Sequence, residues 1–234
     1  MEDLYKLMNV THSILLNNGI IYYANGGTLL GAIRHKGIIP WDNDLDIEIG
    51  YKDFDKLLSK KIVSEFKKHG YVIKKHINHL ADGEKYNWVK AVLPSSSHLG
   101  IDFFPVKLIK ETKTGRWKTR FSSPFVHKLW PKYYFYLDEL LPLRVVKFGA
   151  GKILIPYDPE PYLTRSYGSD WSKVGYITQD AEHESLDEPV KVPVKKFVPG
   201  KPFVKPLKSE IVNIQKGDPR LLLISSFSKH LEEQ

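Results

Sequence analysis

The 234-residue chain contains no cysteine, which excludes a disulfide framework, a thiolate zinc site and a cysteine nucleophile. That absence fits a reducing compartment. Nor does any segment approach the ~20 consecutive apolar residues that a membrane-spanning helix needs. The opening residues carry Glu2 and Asp3 where a secretory signal would be positive, and they hold no unbroken apolar core. A soluble, cytosolic protein is the expectation, with peripheral membrane contact left open. No internal repeat stands out. Seven histidines (His69, His76, His79, His98, His127, His183 and His230) lack metal-ligand spacing. Only His183, between Glu182 and Glu184, has suggestive neighbours.

What is present describes an ordinary folded protein. Hydrophobic residues make up 42% and aromatics 12%, enough for one substantial domain or a domain with an appendage, and too much for a disordered chain. Positive charge is concentrated in one stretch. Residues 105–152 hold eleven Lys/Arg against Glu111, Asp138 and Glu139, an excess equal to the +8 of the whole chain. Such a field attracts a nucleotide, a phosphorylated glycan, an anionic lipid surface or a nucleic acid, unless it is simply a solvated basic face. No recognisable nucleic-acid-binding signature accompanies it, so nucleic acid is the least supported of these partners.

Leu4, Leu7, Met8, Ile14 and Leu15 recur at helical spacing, and residues 20–23 read as a short buried strand. Residues 28–35 predict a helix with Gly26 and Gly27 at its N-terminus, where outward-pointing amides and the helix dipole favour a phosphate. Pro40 and Trp41 mark a turn before a strand at 44–49. Phe54, Leu57, Leu58, Ile62 and Phe66 predict one amphipathic helix stopped by Gly70. Strands are expected at 71–75, 86–93 and 100–109, a Gly-turned hairpin at 145–155, and a short helix at 161–167 closed by Gly168. From 187 to 206, Pro189, Pro193, Pro199, Pro202 and Pro206 alternate with Val and Lys and read as an extended arm, and 219–233 reads as one more helix.

The acids of 42–48 carry the chemistry. Successive strand residues face opposite ways, so Asp44, Asp46 and Glu48 share one face, while Leu45, Ile47 and Ile49 share the other and can enter a core. Crowded carboxylates repel unless a cation lies between them, and an all-oxygen set suits a hard divalent ion such as Mg²⁺ or Mn²⁺. Asp44 and Asp46 are the first candidates as ligands. Asp42 is either a further ligand or a turn residue accepting backbone N–H bonds, and Glu48 is expected to point at a basic side chain. Asp102, alone among Ile101, Phe103 and Phe104, is costly to bury unpaired, so it is expected to add a carboxylate from an adjacent strand. Lys90 is a candidate to complete an anion cradle beside it. Thr28 is either a hydroxyl donor to phosphate or a helix cap. Trp41 either stacks on a base or packs beneath the turn, and His35 is expected to face solvent.

The run Gly27-Thr-Leu-Leu-Gly31, Arg34, Gly37 and Ile39-Pro-Trp-Asp-Asn-Asp-Leu-Asp46 resembles, in that order and spacing, the signature of the LicD/fukutin family. Ile101-Asp-Phe-Phe104 and the stretch from Pro161 to Trp171 resemble its later landmarks. The resemblance covers roughly residues 10–171 and implies an α+β fold, a nucleotidyltransferase-like mixed β-sheet flanked by helices, assigned to 1–185; the Pro-rich C-terminal arm and a segment of unknown role at 186–234 lie beyond it. It also implies a phosphotransferase. A CDP-linked donor would be attacked by a hydroxyl of a glycan or phosphorylated glycan, with CMP departing and divalent cations held by Asp42, Asp44, Asp46 and Asp102. On this reading Asp44, Asp46 and Asp102 are catalytic, and Asp102 is also able to take the hydroxyl's proton. Gly26, Gly27, Thr28, Arg34 and Lys90 would bind the nucleotide, the planar fork of Arg34 gripping its diphosphate. Phosphocholine, ribitol phosphate, glycerol phosphate and a phosphosugar all remain open as the group transferred. Two other readings stand beside it: a nucleotidyltransferase-fold enzyme acting on RNA or protein, and a non-catalytic glycan- or polyanion-binding relative.

Overall fold

The computed structural model describes residues 2–79, 85–94, 96–179 and 185–194. Helix α1 (Glu2–Asn17), strand β1 (Tyr22–Ala24), helix α2 (Gly26–Arg34) and strand β2 (Asp44–Gly50) come first. A short helix α3 (Tyr51–Phe54), a 3-10 turn (Asp55–Leu58) and α4 (Lys60–Lys68) lead to β3 (Val72–His79), β4 (Lys85–Leu93) and β5 (Ser96–Lys110). Then follow β6 (Trp117–Phe121), α5 (Pro124–Leu129), α6 (Leu137–Leu140), β7 (Arg144–Phe148), β8 (Gly151–Ile155) and α7 (Glu160–Tyr167). A hairpin of β9 (Val174–Gln179) and β10 (Ser185–Pro193) completes the described elements.

The fold is α+β, built on one mixed sheet flanked by helices. Its strand order is β1-β2-β5-β4-β3, with β6 paired to the far half of β5. Only β2 and β5 run parallel, and α3 to β4 supply the crossover between them. Alternation then sorts the side chains as the sequence predicts. Leu45, Ile47, Ile49, Val89, Ala91, Ile101 and Phe103 line one face, each at most 1% exposed. Burying a side chain of the larger of these contributes roughly 1.5–3 kcal/mol. Helix α1 packs on β5, β8 and α4, and its predicted stripe, Leu4, Leu7, Met8, Ile14 and Leu15, is buried. The opposite face of β2 and β5 is left for the acids.

Several elements differ from the sequence reading. The single helix expected through Phe54 and Phe66 is broken at Ser59, whose Oγ accepts from the Ile62 amide and starts α4 afresh. Leu57, Ile62 and Phe66 still reach one core, which is why the spacing concealed the break, while Leu58 is exposed. Strands β6 and β9 and helices α5 and α6 lie where no element was expected. Residues 185–193 are no free arm. They pair with β9, so the boundary expected between 185 and 186 falls inside a hairpin. Pro189 and Pro193 are tolerated because, among the described residues, β10 pairs on one side and carries a register shift between Ser185 and Val190. His183 and the helix expected at 219–233 lie outside the described residues. Among the described residues, no helix is long and apolar enough to cross a membrane.

Candidate active site

Register builds the acid cluster. Asp46 on β2 lies directly across from Asp102 on β5, and Lys90 on β4 lies across from Asp102 on its other side. Asp44, two residues before Asp46, shares its face. One carboxylate oxygen from each of Asp44, Asp46 and Asp102 falls within 4.8 Å of the others. Lys90 Nζ donates to Asp102 Oδ2 at 2.9 Å, and Asp102 Oδ1 is buried without a hydrogen-bond partner. Burial, followed by the charges of Asp44, Asp102 and Asp42, pushes the Asp46 carboxyl well above the usual carboxylate range. Burial likewise raises Asp102, against the pull of Lys90. Three crowded acids with an orphaned buried oxygen and one lysine are short of positive charge. An all-oxygen set of this kind fits a hard divalent cation.

Asp42 stands beside this trio. Its Oδ1 accepts from the Asn43 amide at 3.1 Å, so the turn role foreseen for it is present. Burial first, then the charge of Asp44, pushes its carboxyl up to about 7.

Helix α2 begins against the acids. Gly26 has φ +52°, and a Cβ there would sit 3.1 Å from Asp46 Oδ2 and 3.5 Å from the Tyr133 ring. A Cβ on Gly27 would sit 2.9 Å from Asp42 Oδ2. A side chain at either position would fill the space between the helix start and the carboxylates. The Gly26 amide donates to the Tyr162 hydroxyl at 3.1 Å, and that hydroxyl donates to Asn25 Oδ1. Among the described residues, the amides of Gly27 and Thr28 have no protein acceptor, the usual condition of a helix start open to an anion. Thr28 does not cap the helix with its side chain. Its Oγ1 accepts from the Asp46 amide at 2.7 Å, while the Asn25 amide donates to the Asp46 carbonyl at 3.1 Å. Both backbone groups of Asp46 are therefore fixed to α2.

Three side chains depart from their expected roles. Arg34 is buried, and its Nη1 donates to the carbonyls of Trp171 and Val174, both at 2.9 Å. Its Nε donates to His35 Nε2 at 2.8 Å, so the fork expected to grip a diphosphate instead ties α2 to the chain leading into β9. His35 is half-buried rather than fully solvent-facing. Burial and then Arg34 lower its pKa to about 4, which keeps the ring neutral and able to accept. Glu48 meets no basic side chain among the described residues. It is 1% exposed, and burial lifts its carboxyl to about 8 against the nearby Tyr23 hydroxyl. Trp41 packs: its ring meets His35 edge-on at 6.0 Å and closes over Gly175 of β9.

Sequence reasoning missed the tyrosines that wall the site. Tyr133 and Tyr167 share a 3.0 Å hydroxyl–hydroxyl hydrogen bond, and burial raises both, with Asp46 adding to the effect. Tyr162 lies edge-on to Tyr133 at 5.6 Å. Tyr86 on β4 is raised by burial and then by Asp102 and Asp46. Separation hid them, since Gly26 and Tyr162 are 136 residues apart.

An acid trio on adjacent strands thus faces a glycine-led helix start on a mixed sheet flanked by helices. The profile of the LicD/FKTN/FKRP nucleotidyltransferase domain matches residues 19–158, more than half of the chain, and the chain belongs to that family. An uncharacterised protein of Rickettsia typhi is 36% identical over 178 residues, covering 75% of this chain and 48% of its own. The human ribitol 5-phosphate transferase FKRP is 30% identical over 165 residues, 64% of this chain and 32% of its own. The lipopolysaccharide cholinephosphotransferase LicD of Haemophilus influenzae is 38% identical over 53 residues, 23% of this chain and 20% of its own. The match thus spans about half the length of the rickettsial relative and a third of the human one.

Proposed function

We propose that the chain is a divalent-metal-dependent transferase that moves a phospho-alcohol group from a CDP-activated donor to a glycan hydroxyl. The observation that carries this reading is the trio Asp44, Asp46 and Asp102, gathered within 4.8 Å. The spare amides of Gly27 and Thr28 lie beside it. A bound Mg²⁺ supplies charge neutralisation to the phosphates and lowers the pKa of the attacking hydroxyl. The three carboxylates are the residues that would hold that ion. The Gly27 and Thr28 amides donate to phosphate oxygens, which the missing side chains at 26 and 27 allow to approach. Asp102, raised by burial and steadied by Lys90, takes the proton of the acceptor hydroxyl. The acceptor oxygen bonds to the phosphorus nearer the alcohol, the bond from that phosphorus to CMP breaks, and CMP leaves with the electron pair. Among the named relatives, the longer match is to the ribitol 5-phosphate transferase, so ribitol phosphate is the first group to try and phosphocholine the second.

Calorimetric titration of CDP, CMP, UDP, GDP and ADP, with and without Mg²⁺, tests the reading. Mg²⁺-dependent binding that favours cytidine and disappears in Asp44→Ala/Asp46→Ala supports it. A preference for another base would redirect the search to other acceptors and donors. No metal-dependent binding of any nucleotide would overturn it.

A further inference from the structure

Away from the acids, the most unusual surface is the tip that ends α5. Lys128, Leu129, Trp130, Pro131 and Lys132 are five consecutive exposed residues. Leu129 is 51% exposed and Trp130 39%, an apolar pair side by side where soluble surfaces mostly expose such residues singly. The helix accounts for the exposure. Ser123 Oγ accepts from the Val126 amide and Pro124 opens the first turn, which buries Val126 and leaves the other end outside. The tip is nevertheless anchored. Trp130 stacks on Tyr133 at 6.1 Å and meets Phe104 and Phe121 edge-on.

Cations surround this tip. Among the described residues, Arg120, Lys128 and Lys132 form no ion pair, whereas nearby Arg116 and Lys118 are committed to Asp138 and Glu111. Charge alone would suit any polyanion. Adjacent exposed Leu and Trp between lysines suit a boundary that is apolar below and anionic above.

We propose that the 128–132 tip docks on an anionic phospholipid surface, with Leu129 and Trp130 entering the interface and Lys128 and Lys132 meeting the headgroups. Each cation near such a surface favours binding roughly fivefold, and the apolar pair adds area that water no longer covers. Through Tyr133, whose ring lies beside Gly26, Trp130 connects the docked tip to the rim of the acid site. The inference does not depend on which reaction that site performs.

Sedimentation of the full chain with vesicles tests it, comparing phosphatidylcholine alone with phosphatidylcholine plus phosphatidylglycerol. Binding to the mixed vesicles, weakening as salt is raised, is expected. Lys128→Glu/Lys132→Glu should weaken it roughly tenfold or more, and Leu129→Glu by a comparable factor. Circular dichroism of each variant should be unchanged, because the substituted side chains are exposed. Mg²⁺-dependent nucleotide binding by Leu129→Glu should equal that of the parent chain, which separates this test from the transferase reading. No preference for the anionic vesicles overturns the proposal, as does full binding by Leu129→Glu. Equal retention on dextran sulfate, sensitive to the lysines and indifferent to Leu129, would also overturn it in favour of a general polyanion site.

Discussion

Two groups of charge, each at least half-buried, sit at opposite ends of α2, and the fold treats them differently. At the C-terminal end, Arg34 is answered in full view: two carbonyls accept from Nη1, and a neutral imidazole accepts from Nε. At the N-terminal end, Asp44, Asp46 and Asp102 crowd together with Lys90 as their partner, and Asp102 Oδ1 is left without a close partner among the described residues. A buried charge that is answered holds elements together, and one left short works against folding until something completes it. The contrast separates scaffold from site within a helix of nine residues.

Removing one acid should therefore have opposite effects on activity and on stability. Asp46→Asn keeps the shape and removes a charge, so phospho-alcohol transfer should fall roughly 10²–10³-fold or more. In EDTA the same variant should be more stable than the parent, because the cost of burying the charge and the repulsion with Asp44 and Asp102 are relieved. Urea unfolding in EDTA measures the second effect. A loss of stability there would mean that the acids are scaffold and that the contrast is false.

Arg34→Lys sharpens the comparison from the other side. The shorter set of donors cannot serve Trp171, Val174 and His35 together, and stability should drop by about 2–4 kcal/mol. Mg²⁺-dependent nucleotide binding, measured well below the melting temperature, should stay within a few-fold of the parent. Collapse of nucleotide binding with stability intact would restore Arg34 to the phosphate.

Mg²⁺ itself should act at one end only. At about a hundredfold excess over its Kd, an ion bound only to the folded chain stabilises by about 2.7 kcal/mol, a rise in Tm of several degrees for a chain of this size. That rise should survive in Arg34→Lys and vanish in Asp44→Ala/Asp46→Ala, as read by differential scanning calorimetry.

How much of this was legible follows from the range of each signal. Alternation needs only i and i+2, so the split of Asp44 and Asp46 from Leu45, Ile47 and Ile49 could be read directly from the sequence. The direct pairing of Asp46 with Asp102 depends on register between strands far apart in the chain, and no local pattern encodes it. The structural contacts of Arg34 were hidden for the same reason: its acceptors lie 137 and 140 residues away. The start of α5 was different. Ser123 followed by Pro124 is a cap and a first-turn proline, a signal present in the sequence and overlooked there because the basic charges around it drew the reading toward partners. The break at Ser59 was also written locally, but the apolar spacing that runs through it was the stronger pattern.

His35 offers the smallest effect and the finest test of the answered end. Its folded pKa of about 4 lies below the ordinary value of 6.5, with burial the main cause and Arg34 the second. As pH falls from about 6.5 toward about 4, the unfolded chain takes up the proton before the folded one does, so stability must decline across that window and be at its fullest above it. The ring is partly exposed, and solvent screening keeps the effect modest. His35→Gln retains an acceptor for Arg34 Nε and removes the titration. Denaturant midpoints at about pH 7 and about pH 5 should therefore differ less in the variant than in the parent. Equal differences would show that the proton goes elsewhere and that Arg34 does not depend on a neutral neighbour.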